Sequence, residues 1–241
     1  MKTALITGGT RGIGLAISRR LSQEGWQLAL TYRSDEAAAR RLSDELSQQG
    51  TAHVMLRADT ADPQQMRALP RQVLDRFGRF DALVNNAGIV DDGAFLTMEP
   101  SRIARLLKTN LFGAMHLTLA ALPALRQGHH PAIVMMSSLG GVIGKEGQVA
   151  YAASKGGLIG FAQWLGAACH ADGIQVNAIA PGFIGSSMTD DLRPSMVDHI
   201  LQGSALGRPG EAPEVAAAVS FLLQPGYVQS STLRLDGGFN R

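Results

Sequence analysis

Short apolar runs recur along the chain at Ala4–Thr7, Leu28–Thr31, Val54–Leu56, Ala82–Val84, Ala132–Met136, Gln175–Ile179 and Thr232–Leu235. Each is brief and bounded by turn or polar residues, the pattern of a strand. Between them, the segments at about 13–24, 35–49, 64–77, 100–127, 149–171 and 212–223 carry apolar residues at helical spacing. Ser34 before one of these, Gly50 after it and Pro213 near the start of the last supply helix punctuation. Strands alternating with helices predict right-handed crossovers and a parallel sheet covered on both faces, which explains why the strand runs are apolar throughout. The expected fold class is therefore α/β: a doubly wound, seven-stranded parallel sheet in a single domain spanning 1–241. Gly182–Leu206 breaks the rhythm with Gly, Ser, Thr, Asp and two short apolar patches, and 183–206 reads as a lid over the site.

Composition narrows the class of partner. A chain of 241 residues, 45% hydrophobic and 17% charged, can bury one large core. Its formal net charge is +2 with the basic residues dispersed, so it carries no electrostatic footprint for nucleic acid or a membrane surface. Cys169 is the only cysteine, which excludes an intrachain disulfide framework and fits a reducing compartment; no Cys/His group has zinc-ligand spacing. The apolar run at the N-terminus stops at Gly8-Gly9, too short for a signal segment or a membrane span, and the expected location is the cytoplasm.

The first strand runs into Thr7-Gly8-Gly9-Thr10-Arg11-Gly12-Ile13-Gly14 and then a helix. Backbone amides around Gly8, Thr10, Gly12, Ile13 and Gly14 would face a phosphate placed at that helix N-terminus, as in Rossmann-type dinucleotide sites. The spacing is Gly-x3-Gly-x-Gly instead of the more familiar Gly-x-Gly-x-x-Gly. Taken alone, it could also be a turn that needs positive φ. The end of the second strand selects the cofactor, because an acid there accepts from a ribose 2′-OH whereas a base binds a 2′-phosphate. Here it reads Tyr32-Arg33-Ser34, and Arg11 with Arg33 would clamp a 2′-phosphate, Ser34 adding a donor. NADP(H) is the expected cofactor. The alternative is that both arginines are solvated surface charges, with Asp35 reaching a ribose.

Tyr151-Ala152-Ala153-Ser154-Lys155 places a phenol and an amine one turn apart on one helix face. A phenol with a pKa of ~10 is a poor acid-base catalyst at neutral pH, but a neighbouring ammonium and a cofactor's positive charge would favour its phenolate. Ser138 follows the run Ala132–Met136 and so sits at a strand's carboxyl end, where doubly wound sheets bind ligands.

These residues, together with Asp59, Asn85-Asn86-Ala87-Gly88, Asn110 within Lys108-Thr109-Asn110, and Pro181-Gly182, occur in the order and approximate spacing of the short-chain dehydrogenase/reductase family. The chain resembles that family over nearly its whole length, and within it the bacterial 3-oxoacyl-[acyl-carrier-protein] reductases. The resemblance implies that Ser138 donates a hydrogen bond to the substrate carbonyl and that Tyr151 protonates its oxygen as hydride arrives. It implies that Lys155 holds the nicotinamide ribose and lowers the pKa of Tyr151, and that Asn110 anchors a water linking Lys155 to solvent. Asn110 could instead satisfy a backbone carbonyl at a helix kink. Asp59 would contact the adenine, and Asn86, Ala87 and Gly88 would lie beside the adenosine ribose; alternatively all are strand-end turn residues. Pro181, Gly182 and Ile184 would line the nicotinamide pocket, with Ser186 where relatives usually carry Thr, keeping the hydroxyl but losing the methyl that restrains χ1.

The same resemblance implies a β-ketoacyl thioester substrate carried on acyl carrier protein, and assembly as a homotetramer through the helix around Leu106–Leu122 and the segment Leu235–Phe239. Where that subfamily places basic residues to meet the acidic carrier, this chain has His129-His130 and His170-Ala171-Asp172. Histidine is largely neutral at pH 7 and would attract an acidic partner weakly. The runner-up is an NADP-dependent reductase of free small ketones, sugars or CoA thioesters. Gly185-Ser186-Ser187-Met188 and Met196–Leu201 lack an arginine aimed inward, which favours a neutral acyl chain over a charged sugar. A non-catalytic dinucleotide sensor is a third class, opposed by the intact Ser138, Tyr151 and Lys155.

Overall fold

The computed structural model describes residues 1–185, 197 and 201–239. Its strands are β1 (Thr3–Ile6), β2 (Gln27–Tyr32), β3 (His53–Arg57), β4 (Ala82–Asn85), β5 (Ala132–Met136), β6 (Gln175–Pro181), β7 (Ile184–Gly185), β8 (Gly210–Glu211) and β9 (Thr232–Leu235). The helices are α1 (Gly12–Gln23), α2 (Glu36–Gln48), α3 (Pro63–Phe77), α4 (Pro100–Leu107), α5 (Gly113–Leu125), α6 (Gly140–Ile143), α7 (Val149–Ala168) and α8 (Ala212–Leu222). One seven-stranded sheet runs in the order β3-β2-β1-β4-β5-β6-β9, every pair parallel. The expected doubly wound architecture is realised, and all seven expected strands are present.

The period-two geometry of a strand divides the core between the two faces of the sheet. Ala4, Ile6, Leu28, Leu30, Val84 and Val134 pack with Ile17 and Leu21 of α1, Leu42 and Leu46 of α2, and Val215 and Val219 of α8. The residues between them, Leu5, Ala29, Leu83 and Ile133, pack on the other face with Met66, Leu69 and Val73 of α3, Leu117 and Ala121 of α5, and Leu158 and Ala162 of α7. β1, β4 and β5 are buried along their whole length. Each large aliphatic side chain so enclosed contributes roughly 1.5–3 kcal/mol.

Local chemistry sets the helix ends. The N-cap of α2 is Asp35, one residue later than Ser34, because its carboxylate accepts from Ala38 N at 2.9 Å. Asp62 caps α3 ahead of Pro63, and Glu211 with Glu214 forms a capping box around Pro213 at the start of α8. Two expected helices differ in extent. The 149–171 segment leaves α-geometry at Ala168 and closes through a 3-10 turn at His170–Asp172, with Gly173 at φ 67°. The 100–127 segment is two helices, α4 and α5, joined by a π turn at Lys108–Phe112.

β1 is followed outward by β2 and β3, while β4 begins the walk in the other direction, so the strand order reverses between β1 and β4. A crevice opens there at the carboxyl ends of the strands, the place where open α/β sheets hold ligands. β7 and β8 form a small separate parallel pair, Ile184 opposite Gly210 and Gly185 opposite Glu211. Of the 183–206 stretch, residues 183–185, 197 and 201–206 are described; the rest, Ser186 included, lies outside the described residues.

Candidate active site

The loop from Thr7 to Gly14 leaves β1 at the reversal point and enters α1 at Gly12. No side chain caps this helix, so its first-turn amides point into the crevice. The loop is tight: Gly8 has φ 63°, and a methyl group added to Gly14 would lie 2.0 Å from the Gly8 carbonyl oxygen. The end of β4 braces it from the opposite side. Asn86 Nδ2 donates to the carbonyls of Thr7 (2.9 Å) and Gly8 (3.2 Å), while Thr7 Oγ1 accepts from the backbone amides of Asn86 and Ala87, both at 2.9 Å. Thr10 is buried and Ile13 packs against the core. Gly8, Gly12, Gly14, Asn86 and Ala87 thus meet as one unit whose uncapped helix terminus suits a dinucleotide pyrophosphate.

The rim of the crevice is cationic. Arg11 is exposed, with Nη1 3.7 Å from Asp35 Oδ2. Because that carboxylate also caps α2, Asp35 is already engaged by a helix and a cation. Arg33 and Ser34 are exposed at the end of β2. Arg57, which the sequence did not single out, ends β3 opposite Tyr32, and its Nε donates to the Arg33 carbonyl at 3.3 Å. Three guanidinium groups and one carboxylate therefore border the place where an adenosine 2′-phosphate would lie, a donor set that fits NADP(H). Asp59 just beyond β3 accepts from Ala61 N through Oδ1 (2.9 Å), and its own amide donates to Gln65 Oε1 (2.8 Å), so it makes a local turn.

The reactive groups converge where β5 and α7 meet. Ser138 follows β5, and its Oγ accepts from Gly140 N at 3.1 Å. Lys155 is buried, and its Nζ donates to the Met136 carbonyl at 2.7 Å while its own carbonyl accepts from Ser137 Oγ at 2.8 Å. Loss of hydration pulls its ammonium down to about 8. Nζ lies 5.8 Å from the centroid of the Tyr151 ring. Burial pushes the Tyr151 phenol above its ordinary value, opposed by the neighbouring Ser138 hydroxyl and reinforced by the negative charge of Asp92. The expectation that Lys155 depresses Tyr151 is thus not met by the protein alone, because the ammonium is spent on the Met136 carbonyl and desolvation dominates. The phenol stays protonated, as a proton donor requires.

Asn110 sits in the π turn, and a single residue's extra length per turn aims its carboxamide inward. Oδ1 accepts from Ile89 N (2.8 Å), and Nδ2 donates to Ile89 O (2.9 Å) and to Ser154 Oγ (3.1 Å). The side chain is therefore a strut between the loop after β4 and α7, much as the kink alternative foresaw, except that the backbone it satisfies belongs to another element. A methyl group added to Gly88 would meet Lys155 Nζ at 3.3 Å and Asn110 Oδ1 at 3.4 Å, so the end of β4 borders the reactive group. Pro181 O accepts from Leu139 N at 2.7 Å, and Gly182 N donates to Leu235 O at 2.9 Å, which places the end of β6 against the turn that carries Ser138. Ile184 is buried in β7.

A small cavity of about 100 Å³ lies apart from these groups, between the base of the 183–206 stretch and the C-terminal segment, with Phe183, Leu201, Leu206, Leu235 and Phe239 in its wall. Arg208, which lies beyond the two segments expected to lack an inward arginine, also lines it. Its guanidinium is held by Glu214 at 2.7 and 2.9 Å, so it does not enter the cavity as a free cation.

A dinucleotide cradle beside a Ser, Tyr and Lys group is the layout of an oxidoreductase. The chain belongs to the short chain dehydrogenase family, whose sequence profile matches residues 2–196. It is 37% identical over 239 residues to the 3-oxoacyl-[acyl-carrier-protein] reductase of Escherichia coli, covering 98% of this chain and 96% of the relative. The reductase of the same description from Staphylococcus aureus is 34% identical, with 98% and 97% covered. Among solved structures, a short chain dehydrogenase from Burkholderia cenocepacia in complex with NADP superposes with a TM-score of 0.92 at 33% identity, covering 98% of this chain and 97% of that one. A variant of a Serratia marcescens short-chain dehydrogenase/reductase superposes with a TM-score of 0.93 at 30% identity, with 99% and 97% covered.

Proposed function

We propose that the protein reduces a β-ketoacyl thioester to the β-hydroxyacyl thioester with NADPH, the acyl group being carried on acyl carrier protein. The observation that carries this reading is the meeting of Ser138, Tyr151 and the buried Lys155 at the sheet's carboxyl edge, in a chain similar to 3-oxoacyl-[acyl-carrier-protein] reductases over nearly its full length. The bound nicotinamide would supply the hydride. Ser138 donates a hydrogen bond to the substrate carbonyl, and Tyr151, kept protonated by its burial, gives the proton to the oxygen as negative charge develops there. Lys155, oriented by the Met136 carbonyl, faces the ribose hydroxyls, and a water anchored at Asn110 returns the proton from solvent. Because both carboxamide hydrogens of Asn110 are engaged, that water would rest on its main-chain carbonyl. Gly8, Thr10, Gly12, Ile13 and Gly14 hold the pyrophosphate, while Arg11, Arg33 and Ser34 hold the 2′-phosphate. Asp59, Asn86, Ala87 and Gly88 border the adenosine; Pro181, Gly182, Ile184 and Ser186 border the nicotinamide. The 183–206 stretch would close over the substrate.

One observation favours the runner-up, reduction of a free ketone or CoA thioester. Arg126, close in sequence to His129-His130, is paired with Asp172 at 2.9 Å, which leaves His129, His130 and His170 to meet an acidic carrier. The test is NADPH oxidation with acetoacetyl-acyl carrier protein against acetoacetyl-N-acetylcysteamine. A kcat/KM at least tenfold higher for the carrier-bound substrate is expected, and parity would replace the carrier reading by the runner-up.

A further inference from the structure

The loop after β4 and the loop before α7 are joined across the mouth of the site. Gly93 N donates to Gly147 O at 2.8 Å, and Gln148 Nε2 donates to both oxygens of Asp92, at 3.0 and 2.9 Å. The first loop is itself pinned: Asp91 is held between Arg102 and Arg105, the latter at 2.6 Å, and Arg102 Nη2 also donates to the Asp92 carbonyl at 3.0 Å. Asp92 therefore arrives at a fixed position. A carboxylate only accepts, so it dictates which way the Gln148 amide is turned: Nε2 toward Asp92 and Oε1 away. That oxygen borders the reaction space. A methyl group added to Gly140 would lie 3.6 Å from Ser138 Oγ, 3.7 Å from Gln148 Oε1 and 3.9 Å from Tyr151 Cε1, so the three side chains surround one small volume.

We infer that Gln148 is a specificity residue, fixed by Asp92, whose Oε1 accepts a hydrogen bond from an N–H donor on the substrate beyond its reacting carbonyl. Ser138 and Tyr151 both donate to the ketone, and an acceptor beside them has no use for a second carbonyl oxygen; it selects a donor. Resting on the thioester reading above, that donor is the amide N–H of a pantetheine-type arm, two carbons beyond the sulfur. Asp92 is a positioning residue: it touches no substrate and acts through the orientation of Gln148.

The test compares acetoacetyl-N-acetylcysteamine, which carries that N–H, with S-butyl acetothioacetate, which keeps the β-ketothioester and lacks it. Wild type should favour the first by about tenfold in kcat/KM, the value of one well-made hydrogen bond to a neutral group. In Gln148→Leu the preference should fall to near unity, chiefly through KM. Asp92→Ala should remove most of it as well, and the Asp92→Ala/Gln148→Leu double variant should lose no more than Gln148→Leu alone, as follows if Asp92 acts on the preference only through Gln148. A wild-type preference near one, or a preference unchanged in both Gln148→Leu and Asp92→Ala, would overturn the inference while leaving the reductase reading in place. Failure of wild type to oxidise NADPH with either thioester would overturn both.

Discussion

Lys155 shows what a single residue can cost and supply. Its ammonium titrates near 8 in the fold, below the ordinary 10.5, because burial disfavours the charged form. Between those two values an unfolded chain holds a proton that the native protein has released, so stability rises with pH across that window; below about 8 the full charging penalty applies. That penalty is on the order of 3 kcal/mol before the Met136 hydrogen bond is counted against it. Lys155→Met should therefore raise Tm by a few degrees at pH 7, with the advantage shrinking to nothing near pH 10, while oxidoreductase activity falls by at least ~100-fold. A variant that melted lower at pH 7 would contradict the burial argument. At this scale the sequence was legible where chemistry follows local spacing. Tyr151 and Lys155 lie one helical turn apart, and Ser138 follows an apolar run, so local spacing drew attention to them, while the family resemblance supplied their roles. Asp92 and Arg57 gave no such signal. Each matters through a partner far along the chain, Asp92 through Gln148 and Arg57 through the Arg33 carbonyl, and only the register of the sheet and the loop crossings bring those partners together.

At the level of elements, the strands were legible because a sheet covered on both faces leaves few polar positions inside its central members, Thr3, Asn85 and Asn177 being buried exceptions. The helices were legible as far as their apolar stripe extends. The π turn at Lys108–Phe112 was not, since Leu, Ala and Met continue through 100–127 without a breaker before Gly113, and only the tertiary bonds of Asn110 show why the turn widens. Replacing Asn110 by Leu would leave the half-buried Ile89 amide and carbonyl without these partners, at about 1 kcal/mol each. With a Tm shift of roughly 2–4 °C per kcal/mol for a chain of this size, Asn110→Leu should melt at least 4 °C lower by calorimetry as well as lose activity. A loss of activity at unchanged Tm would mean that its bonds to Ile89 contribute little. The phosphate loop permits a sharper test. Gly14→Ala places a methyl group against the Gly8 carbonyl, a backbone atom that cannot rotate away. NADPH binding followed by fluorescence titration should weaken by at least ~10-fold, because the loop must open and the helix terminus retreat from the pyrophosphate. By contrast Arg33→Ala should act only on the 2′-phosphate, raising KM for NADPH and leaving that for NADH nearly unchanged; equal effects on both would remove Arg33 from cofactor selection.

For the whole molecule, the sheet explains what is buried and leaves one face unexplained. α5 and α7 cover the same side of the sheet, yet Phe112, Met115 and Leu119 at one edge of the π turn and α5, and Trp164 on α7, remain 45%, 37%, 71% and 79% exposed. Phe112, Met115 and Leu119 are spaced three and four residues apart, so they form one stripe and not scattered exceptions. A contiguous exposed apolar stripe is the kind of surface that another chain would cover. The helix around Leu106–Leu122 was expected to serve assembly as a homotetramer, and the stripe lies within it. The C-terminal segment offers a second surface: Phe239 pairs with Ser204 as an isolated bridge and lies against Gly203, tying the chain end to the base of the proposed lid. If the α5–α7 face joins two subunits, a charge placed at its centre should cost more than one at its rim, because the desolvated centre of an interface carries most of its energy. Leu119→Asp and Trp164→Glu should therefore each shift the mass measured by light scattering from tetramer toward dimer, with the double variant complete, while the thermal unfolding of the dimer stays cooperative. A wild-type mass equal to the monomer would reject assembly through this face, and a tetramer that survives both substitutions would move the contact to the C-terminal segment.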